Sequence, residues 1–462
     1  MVQEFDVAVI GGGVVGLAIL RRLAMSGLGT VLLERGADIL SGASKGNSAL
    51  LHTGFDAPAG SLELACVQRG AHEYRAIRER LNLPLVATGA YVVAWDEAQE
   101  ARLPDLLAEA RANGVTDTHL IGGAALRAAE PNLAPGARAA LHVPGEAVID
   151  PWSAPLAYGR QALAHGATIL TRAEVTGADE GPGGWTLTTP RGEVRARAVV
   201  NAAGLFGDRI EALIRHSPFT IKPRKGQFVV FDVPGHTLVN AILLPVPSER
   251  TKGVVLFPTI FGNLAIGPTA EETDEREAAT CDRATLEGLR ARAVEMVPAL
   301  AQAGVKTIYA GLRPATEAKH YRVEAVPGRA WITVGGIRST GLSAALGLAE
   351  HVADLYASHI APLPGKPPEP VWTPVPNLAE ARERPWEQGR EIVCHCERVT
   401  RDEVRAALDG PLAAGDLGGL KRRTRAMMGR CQGFNCGAEV RAMAAAAGLA
   451  DAREGEGRDG TA

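Results

Sequence analysis

Phe5-Asp6-Val7-Ala8-Val9-Ile10-Gly11-Gly12-Gly13-Val14-Val15-Gly16 decides how the chain begins to fold. The residues before Gly11 form a short apolar run of buried-strand type, and beyond Gly16 the positions Leu17, Leu20 and Leu23 recur at helical spacing. A second apolar run, Thr30-Val31-Leu32-Leu33, ends at Glu34. Strand, glycine turn, helix and strand make one βαβ unit of about 30 residues, the building block of a parallel α/β sheet. The G-x-G-x-x-G spacing gives each glycine a task. Gly11 permits the tight turn, Gly13 lets a pyrophosphate approach the backbone, and Gly16 allows helix and strand to pack closely. The helix N-terminus faces the negative charge. Glu34, 18 residues past Gly16, is placed to accept the ribose hydroxyls of an adenosine. This arrangement serves NAD and FAD equally.

The next stretch separates the two. Residues from Ser41 to Gly54 are small, polar and punctuated by glycine, a composition suited to wrapping a second phosphate and an isoalloxazine ring rather than a nicotinamide. A later strand ends in Val199-Val200-Asn201-Ala202-Ala203-Gly204, whose small residues permit close approach to the same cofactor. Further strands are expected at Tyr91–Ala94, Gln227–Phe231 and Trp331–Val334, and helices at about 97–113, 155–165, 284–297 and 342–358. Seven prolines between Pro362 and Pro376 forbid helix or central strand and predict an extended spacer.

The 462 residues exceed what one core usually organises, and 46% hydrophobic with 22% charged residues is the balance of a globular chain. A formal charge of −3 leaves no basic excess to drive counterion release, which argues against a nucleic-acid partner. No run of about 18 apolar residues is long enough to span a bilayer, and Met1-Val2-Gln3-Glu4 lacks the basic region of an export signal. A cytoplasmic protein is expected, or one held peripherally at a membrane through a partner. Two features remain to be explained: 53 glycines, and six cysteines of which four lie beyond residue 390.

Those four read Cys394-His395-Cys396, then 34 residues, then Cys431-Gln432-Gly433-Phe434-Asn435-Cys436. Four thiolates at this spacing ligate zinc or a [2Fe–2S] cluster, and the single-residue gap between Cys394 and Cys396 is shorter than the C-x2–4-C of zinc ribbons, which favours iron–sulfur. The neighbouring run Leu420-Lys421-Arg422-Arg423-Thr424-Arg425 is expected to place cations beside the anionic thiolates, and His395 to be exposed. Cys66 and Cys281 have no partner at metal spacing and are expected to be ordinary buried residues.

With these pieces in order, residues 1–360 resemble the glycine-oxidase and glycerol-3-phosphate dehydrogenase superfamily of FAD enzymes. The carrying motifs are Val199–Gly207 and Gly335-Gly336-Ile337-Arg338-Ser339-Thr340-Gly341-Leu342-Ser343. Within it the chain is most similar to the mycoplasma-type glycerol-3-phosphate oxidases, through Asn47-Ser48, His52-Thr53-Gly54-Phe55-Asp56, Arg224-Lys225-Gly226-Gln227, Lys252-Gly253-Val254-Val255, Gly267-Pro268-Thr269 and Ala310-Gly311-Leu312-Arg313-Pro314. The tail resembles the bacterioferritin-associated-ferredoxin-like (BFD-like) [2Fe–2S] domain of anaerobic glycerol-3-phosphate dehydrogenase large subunits.

The resemblance implies a glutathione-reductase-type α/β FAD-binding domain from residues 1–85, 150–215 and 328–360. Interleaved with it would be an antiparallel-sheet substrate domain from 86–149 and 216–327, followed by a linker at 361–390 and a small helical iron–sulfur domain at 391–450. It implies FAD contacts at Gly11, Gly13, Gly16, Glu34, Ser44, Asn47, Val175, Gly204, Gly336, Ile337, Arg338, Gly341, Leu342 and Ser343, and cluster ligation by Cys394, Cys396, Cys431 and Cys436. It places Ser48, Lys252, Arg313 and Ser339 around a small anionic alcohol, with His52 as base. A neutral imidazole suits removal of a hydroxyl proton, and Arg313 and Lys252 suit an anionic group. Phe55-Asp56 stands where the larger respiratory dehydrogenases carry an Arg-Tyr pair, but the oxidase branch shares that absence, so the resemblance implies oxidation of sn-glycerol 3-phosphate to dihydroxyacetone phosphate. Ala57-Pro58-Ala59-Gly60-Ser61-Leu62 resembles the 2-hydroxyglutarate oxidase branch, which makes a 2-hydroxy acid, or an amino or imino acid in a multi-subunit complex, the alternative substrate. A flavin accepts electrons in pairs and a [2Fe–2S] centre passes them singly, so the tail implies a dehydrogenase whose electrons go to an acceptor protein or a quinone-linked subunit.

Overall fold

The computed structural model describes residues 4–234, 237–247, 253–365, 369–380 and 391–449. The opening motif folds as its sequence demands: strand Glu4–Ile10, helix Val14–Met25, strand Thr30–Leu33. Thr168–Leu170 pairs parallel with Thr30–Leu33, and on the other side of Glu4–Ile10 lie Gly192–Asn201 and then Trp331–Gly335, also parallel. The strand order therefore reverses between Glu4–Ile10 and Gly192–Asn201. That is the switch point of a doubly wound sheet, where the crevice beyond the carboxyl ends of the strands receives a ligand. Gly11, Glu34, Ala202 and Gly336 all follow directly on those ends. The first half of Gly192–Asn201 continues instead into an antiparallel meander with Gly184–Thr189 and Gly177–Gly181.

The second sheet joins Arg224–Phe231, Leu264–Gly267, Val255–Pro258, Ile242–Pro245, Ala90–Ala94, Ala139–Val143 and His119–Gly122, with Val305–Arg313 along the outer edge of Arg224–Phe231. It is antiparallel throughout except where Ile242–Pro245 runs parallel to Ala90–Ala94. Helix Glu97–Ala112 buries Leu103 and Leu106 in the core that holds Val92 and Phe228. Leu289 and Met296 of helix Arg283–Met296 fill a second core with Phe231 and Leu256. Chain crossings between the two sheets occur on both sides of residues 90–149, so the sheets are built from alternating segments.

The expected strands and helices form at the expected places, with one long helix besides. Leu62–Leu81 is capped by Ser61, which accepts from the Leu64 amide, and it buries Leu64, Val67, Ala71 and Tyr74 at helical spacing. Its contact face also carries Cys66 and Gly70, small residues that weaken the apolar stripe in the sequence because they serve close packing. The helix lies against Gly341–His359 so tightly that a Cβ on Gly70 would sit 2.0 Å from the Ser343 carbonyl oxygen.

In the proline-rich stretch the described residues 361–365 and 369–376 form neither helix nor strand. Residues 366–368 and 381–390 of the expected linker lie outside the described residues, and the described part is fastened down. Val375 is buried, its amide donates to the Leu81 carbonyl, Asn82 donates to its carbonyl, and Gln161 donates to the carbonyl of Val371. Beyond it the hairpin Ile392–Cys394 with Val399–Thr400 and the helices Arg401–Leu408, Leu417–Thr424 and Gly437–Ala446 enclose a small core around Val404, Leu420 and Val440. Among the described residues no helix is long and apolar enough to cross a membrane.

Replacing Gly70 with alanine forces the Leu62–Leu81 and Gly341–His359 helices apart. We expect it to cost about 1–3 kcal/mol, the range for overpacking a dense contact, visible as a lower urea midpoint. An unchanged midpoint would show that the two helices yield freely.

Candidate active site and cysteine centre

The phosphate turn is built by near-contact. A Cβ on Gly16 would lie 1.9 Å from the Gly11 carbonyl oxygen, and Gly11, at φ +110°, sits against the Ala202 carbonyl. Above the turn the space is open. The nearest atom to a Cβ on Gly13 is the Ser44 hydroxyl at 3.2 Å, and Cβ atoms on Gly42 or Gly204 would meet nothing within 4 Å. Ser44 Oγ accepts from the Val14 amide at 3.0 Å, so one helix N-terminal donor is already turned toward an oxygen. Glu34 accepts from the Gly12 amide through Oε2 and from the Gly36 amide through Oε1, each at 2.7 Å. Burial raises its carboxyl above the usual range, with the two amides acting against that shift. Glu34 is thereby clamped at the end of its strand, with its carboxylate at the mouth of the turn.

Asn47 holds the loop over this crevice: its Nδ2 donates to the Ser44 carbonyl and its Oδ1 accepts from the Ala49 amide. Tyr309 donates to the Asn47 carbonyl at 2.8 Å, and Gly311 is pressed against Gly46, where a Cβ would lie 2.1 Å from the Gly46 oxygen. The loop is thus pinned to the second sheet. Ser48 is half-buried within it, Ile337 and Arg338 are half-buried and Ser339 is exposed. Gly341 and Leu342 begin the Gly341–His359 helix, with Gly336 buried just ahead of it. The side chain of Val175 packs in the core with Val31 and Val199. Lys252 lies outside the described residues.

His52 is placed by sheet register. Leu50 and Leu51 pair antiparallel with Val148 and Ala147, which puts His52 and Glu146 on the next rung. Their side chains meet at 2.8 Å, His52 Nδ1 to Glu146 Oε2. The His52 amide donates to Ser343 Oγ, and that hydroxyl donates to the Leu50 carbonyl, so Ser343 supports the histidine segment. Glu146 was not visible as a functional residue in the sequence, since only the pairing of 50–51 with 147–148 brings it to His52.

Arg313 lies opposite Arg224 in the register of Val305–Arg313 with Arg224–Phe231, on the face that also carries Gly311 and Tyr309 and so looks toward the Gly46–Asn47 loop. The Arg313 guanidinium donates to the carbonyls of Thr269, Arg224 and Lys225. Burial and the Arg224 cation bring it down to about 10, which leaves it charged at neutral pH. Arg224 Nε is buried with no hydrogen-bond partner. Among the described residues neither guanidinium is paired with a carboxylate, whereas the adjacent Lys225 is held by Glu271 at 3.0 Å. Arg224 is a second residue that the sequence motif contained without revealing its direction.

The four clustered cysteines come together. Cys396 faces Cys431 and Cys394 faces Cys436, with Cys394 and Cys436 buried, Cys431 half-buried and Cys396 exposed beside an exposed His395. The Asn435 amide, followed by the Cys396 thiol and the Gly433 and Phe434 amides, holds the Cys431 thiol below its ordinary value against desolvation. Burial and the facing Cys394 push Cys436 up to about 11. Among the described residues no three metal-ligating side chains converge on a single ion. Two facing thiol pairs suit two irons, each taking two protein sulfurs, better than one zinc. Amides directed at Cys431 favour its thiolate form, so the donor set fits the cluster.

The basic run departs from expectation. Arg423 makes a two-pronged contact with buried Asp38 at 2.5 and 2.8 Å, and Arg422 donates to the Ile39 carbonyl. Arg425 pairs with Glu397 at 2.9 Å and stacks 3.6 Å above the Phe261 ring. Buried carboxylates, rather than the thiolates, claim these cations because a desolvated Asp38 or Glu397 requires a partner. Lys306, on the strand that ends at Arg313, completes the junction by pairing with Glu397 at 3.0 Å. Cys66 is buried, as expected, and burial pushes its thiol up to about 12, but Cys281 is only half-buried because it lies in the loop before helix Arg283–Met296.

A dinucleotide crevice at a sheet switch point, a second sheet bearing Arg224 and Arg313 and a four-cysteine appendage define a flavoprotein with an iron–sulfur centre. The comparisons agree. Residues 6–355 match the DAO, FAD dependent oxidoreductase, family, and residues 392–446 match the BFD-like [2Fe-2S] binding domain. The chain belongs to the FAD dependent oxidoreductase family, and FAD and a [2Fe–2S] cluster are its cofactors. It is 31% identical to a glycerol 3-phosphate dehydrogenase of Caloramator mitchellensis, over 94% of this chain and 93% of that one. It is 27% identical to the anaerobic glycerol-3-phosphate dehydrogenase subunit A1 of Haloferax volcanii, over 94% and 82%. Its fold matches the FAD-bound, dithionite-reduced L-alpha-glycerophosphate oxidase of Mycoplasma pneumoniae with a TM-score of 0.74 at 25% identity, covering 81% of this chain and 99% of that one.

Changing Cys394 to serine replaces a buried thiol that faces Cys436 and is expected to ligate the cluster. We expect the purified variant to lose most of its iron and acid-labile sulfide while keeping its flavin, whereas Cys66→Ser keeps both. Full iron content in Cys394→Ser would exclude that residue as a ligand.

Proposed function

We propose that this protein is an FAD-dependent dehydrogenase that oxidises sn-glycerol 3-phosphate to dihydroxyacetone phosphate. The observation that carries this reading is the pair Arg224 and Arg313: two guanidiniums that have no carboxylate partner among the described residues, on the sheet face that looks toward the Gly46–Asn47 loop. Adjacent unpaired cations suit a compact dianion, and guanidinium geometry matches phosphate oxygens. The names of the relatives point the same way.

When bound, FAD supplies the hydride acceptor and the [2Fe–2S] cluster a one-electron outlet. The chain's own part is to bind, orient and deprotonate. Gly13 and Ser44 would meet the pyrophosphate and Glu34 the ribose, with Asn47 holding the loop above the crevice. Arg313, with Lys252, would grip the phosphate and so fix the distance of the secondary alcohol from His52, while Ser48 and Ser339 contact its polar groups. His52 takes the hydroxyl proton as the C–H hydride departs, which leaves a ketone. Cys394, Cys396, Cys431 and Cys436 would hold the cluster, which would offer a one-electron route to an acceptor protein or a quinone-linked subunit, a reading supported by the match of the cysteine domain and by the subunit named among the relatives.

A 2-hydroxy acid such as 2-hydroxyglutarate is the second reading, favoured by the likeness of Ala57-Pro58-Ala59-Gly60-Ser61-Leu62 to the 2-hydroxyglutarate oxidase branch. Anaerobic stopped-flow mixing with glycerol 3-phosphate, lactate, 2-hydroxyglutarate and proline separates the two. Glycerol 3-phosphate is expected to bleach the flavin band fastest; faster bleaching by 2-hydroxyglutarate would transfer the assignment. His52→Ala should lower kcat by roughly two to four orders of magnitude, the scale of a lost general base. An undiminished rate would remove His52 from the mechanism. Steady turnover with stoichiometric hydrogen peroxide and no other acceptor would contradict the dehydrogenase reading.

A further inference from the structure

We propose that Glu146 is the positioning residue of the proton-accepting histidine: it fixes the tautomer of His52 so that Nε2, rather than Nδ1, receives the substrate proton. This rests on the reading of His52 as base and adds to it a residue that no sequence motif contains.

The argument is one of donors and acceptors. The Glu146 side chain is wholly buried, and three donors converge on it. Oε1 accepts from the Thr53 amide at 2.6 Å and from the Thr53 hydroxyl at 2.9 Å. Oε2 is left for the imidazole, 2.8 Å from Nδ1. An ionised carboxylate only accepts, so the proton of a neutral His52 sits on Nδ1 and the lone pair on Nε2. The arrangement is rigid at both ends. Glu146 directly precedes the Ala147–Ile149 strand that pairs with Leu50–Leu51, and the His52 amide is tied to Ser343. When Nε2 takes the hydroxyl proton, the imidazolium pairs with Glu146 at the far side of the ring. The Nδ1–H to Oε2 hydrogen bond persists through the step, and the proton leaves again from Nε2.

The substitution Glu146→Gln tests this because its geometry reverses the tautomer. Thr53 still requires an acceptor, so the amide oxygen stays at the Oε1 position and the amide NH2 replaces Oε2 facing Nδ1. Nδ1 must then accept, and Nε2 carries the proton it should receive. The expected result is a kcat lower by about two to four orders of magnitude, with KM for glycerol 3-phosphate, flavin content and thermal midpoint close to wild type. The double variant His52→Ala/Glu146→Gln should be no slower than His52→Ala alone, because the two residues act as one unit. Nitrogen-15 NMR of histidine-labelled protein, with the His52 resonances identified by their loss in His52→Ala, should show an Nδ1-protonated neutral ring in wild type and the opposite tautomer in Glu146→Gln. Near-normal kcat in Glu146→Gln beside a crippled His52→Ala would overturn the role of Glu146, and so would an Nε2-protonated ring in the wild type. If His52→Ala itself turns over normally, the assignment of the base has failed instead.

Discussion

The structure depends on one close approach, the Gly16 backbone against the Gly11 carbonyl, where no side chain fits. Because that contact is tight, the Val14–Met25 helix starts directly over the end of the Glu4–Ile10 strand and aims its unpaired amides at the crevice. Because the helix starts there, Glu34 reaches the Gly12 amide and closes the opposite wall. The strand order then reverses beside Glu4–Ile10, which brings Ala202, Gly204 and Gly336 to the same mouth from far along the chain. A larger residue at Gly16 would therefore disturb the whole cofactor crevice and not only one turn.

The reacting end of the site is assembled on a different principle. The imidazole of His52 and the Glu146 carboxylate come from a two-residue ladder, and the Arg224 and Arg313 guanidiniums from a long antiparallel pair. Each ladder fixes its residues by register, and a one-residue slip of either long strand would turn its own cation to the other face and separate the pair. The Gly46–Asn47 loop connects the two ladders, held by Tyr309 and Gly311 on one side and continuing into Leu50–Leu51 on the other. The His52–Glu146 pair and the two guanidiniums are thus related through a short, well-anchored segment.

Much of this was legible in the sequence wherever chemistry follows local spacing. The glycine turn, Glu34, the cysteine pairs and the main strands and helices carry their meaning within a few residues of themselves. What the sequence concealed depends on pairing across long separations. Glu146 is an unremarkable acid between a glycine and an alanine until Leu51 is set opposite Ala147. The Lys421–Arg425 run advertised its charge but not its partners, because Asp38 lies hundreds of residues away and is recognised as needing a cation only once it is seen to be buried. The Leu62–Leu81 helix was obscured for a related reason: its packing face uses Cys66 and Gly70, chosen for closeness rather than hydrophobicity.

The cysteine domain is seated by Asp38 with Arg423, by Glu397 with Lys306 and Arg425, and by Arg425 on Phe261. Geometry and connectivity are therefore supplied by different parts of the chain. The interface sets how far the cluster lies from the flavin crevice, and the proline-rich segment, itself docked through Val371 and Val375, gives one domain a high effective concentration for the other. A chain severed in that segment would still reassemble in the same orientation, given enough of both pieces. In that respect the enzyme is a permanent complex of two proteins that share one polypeptide.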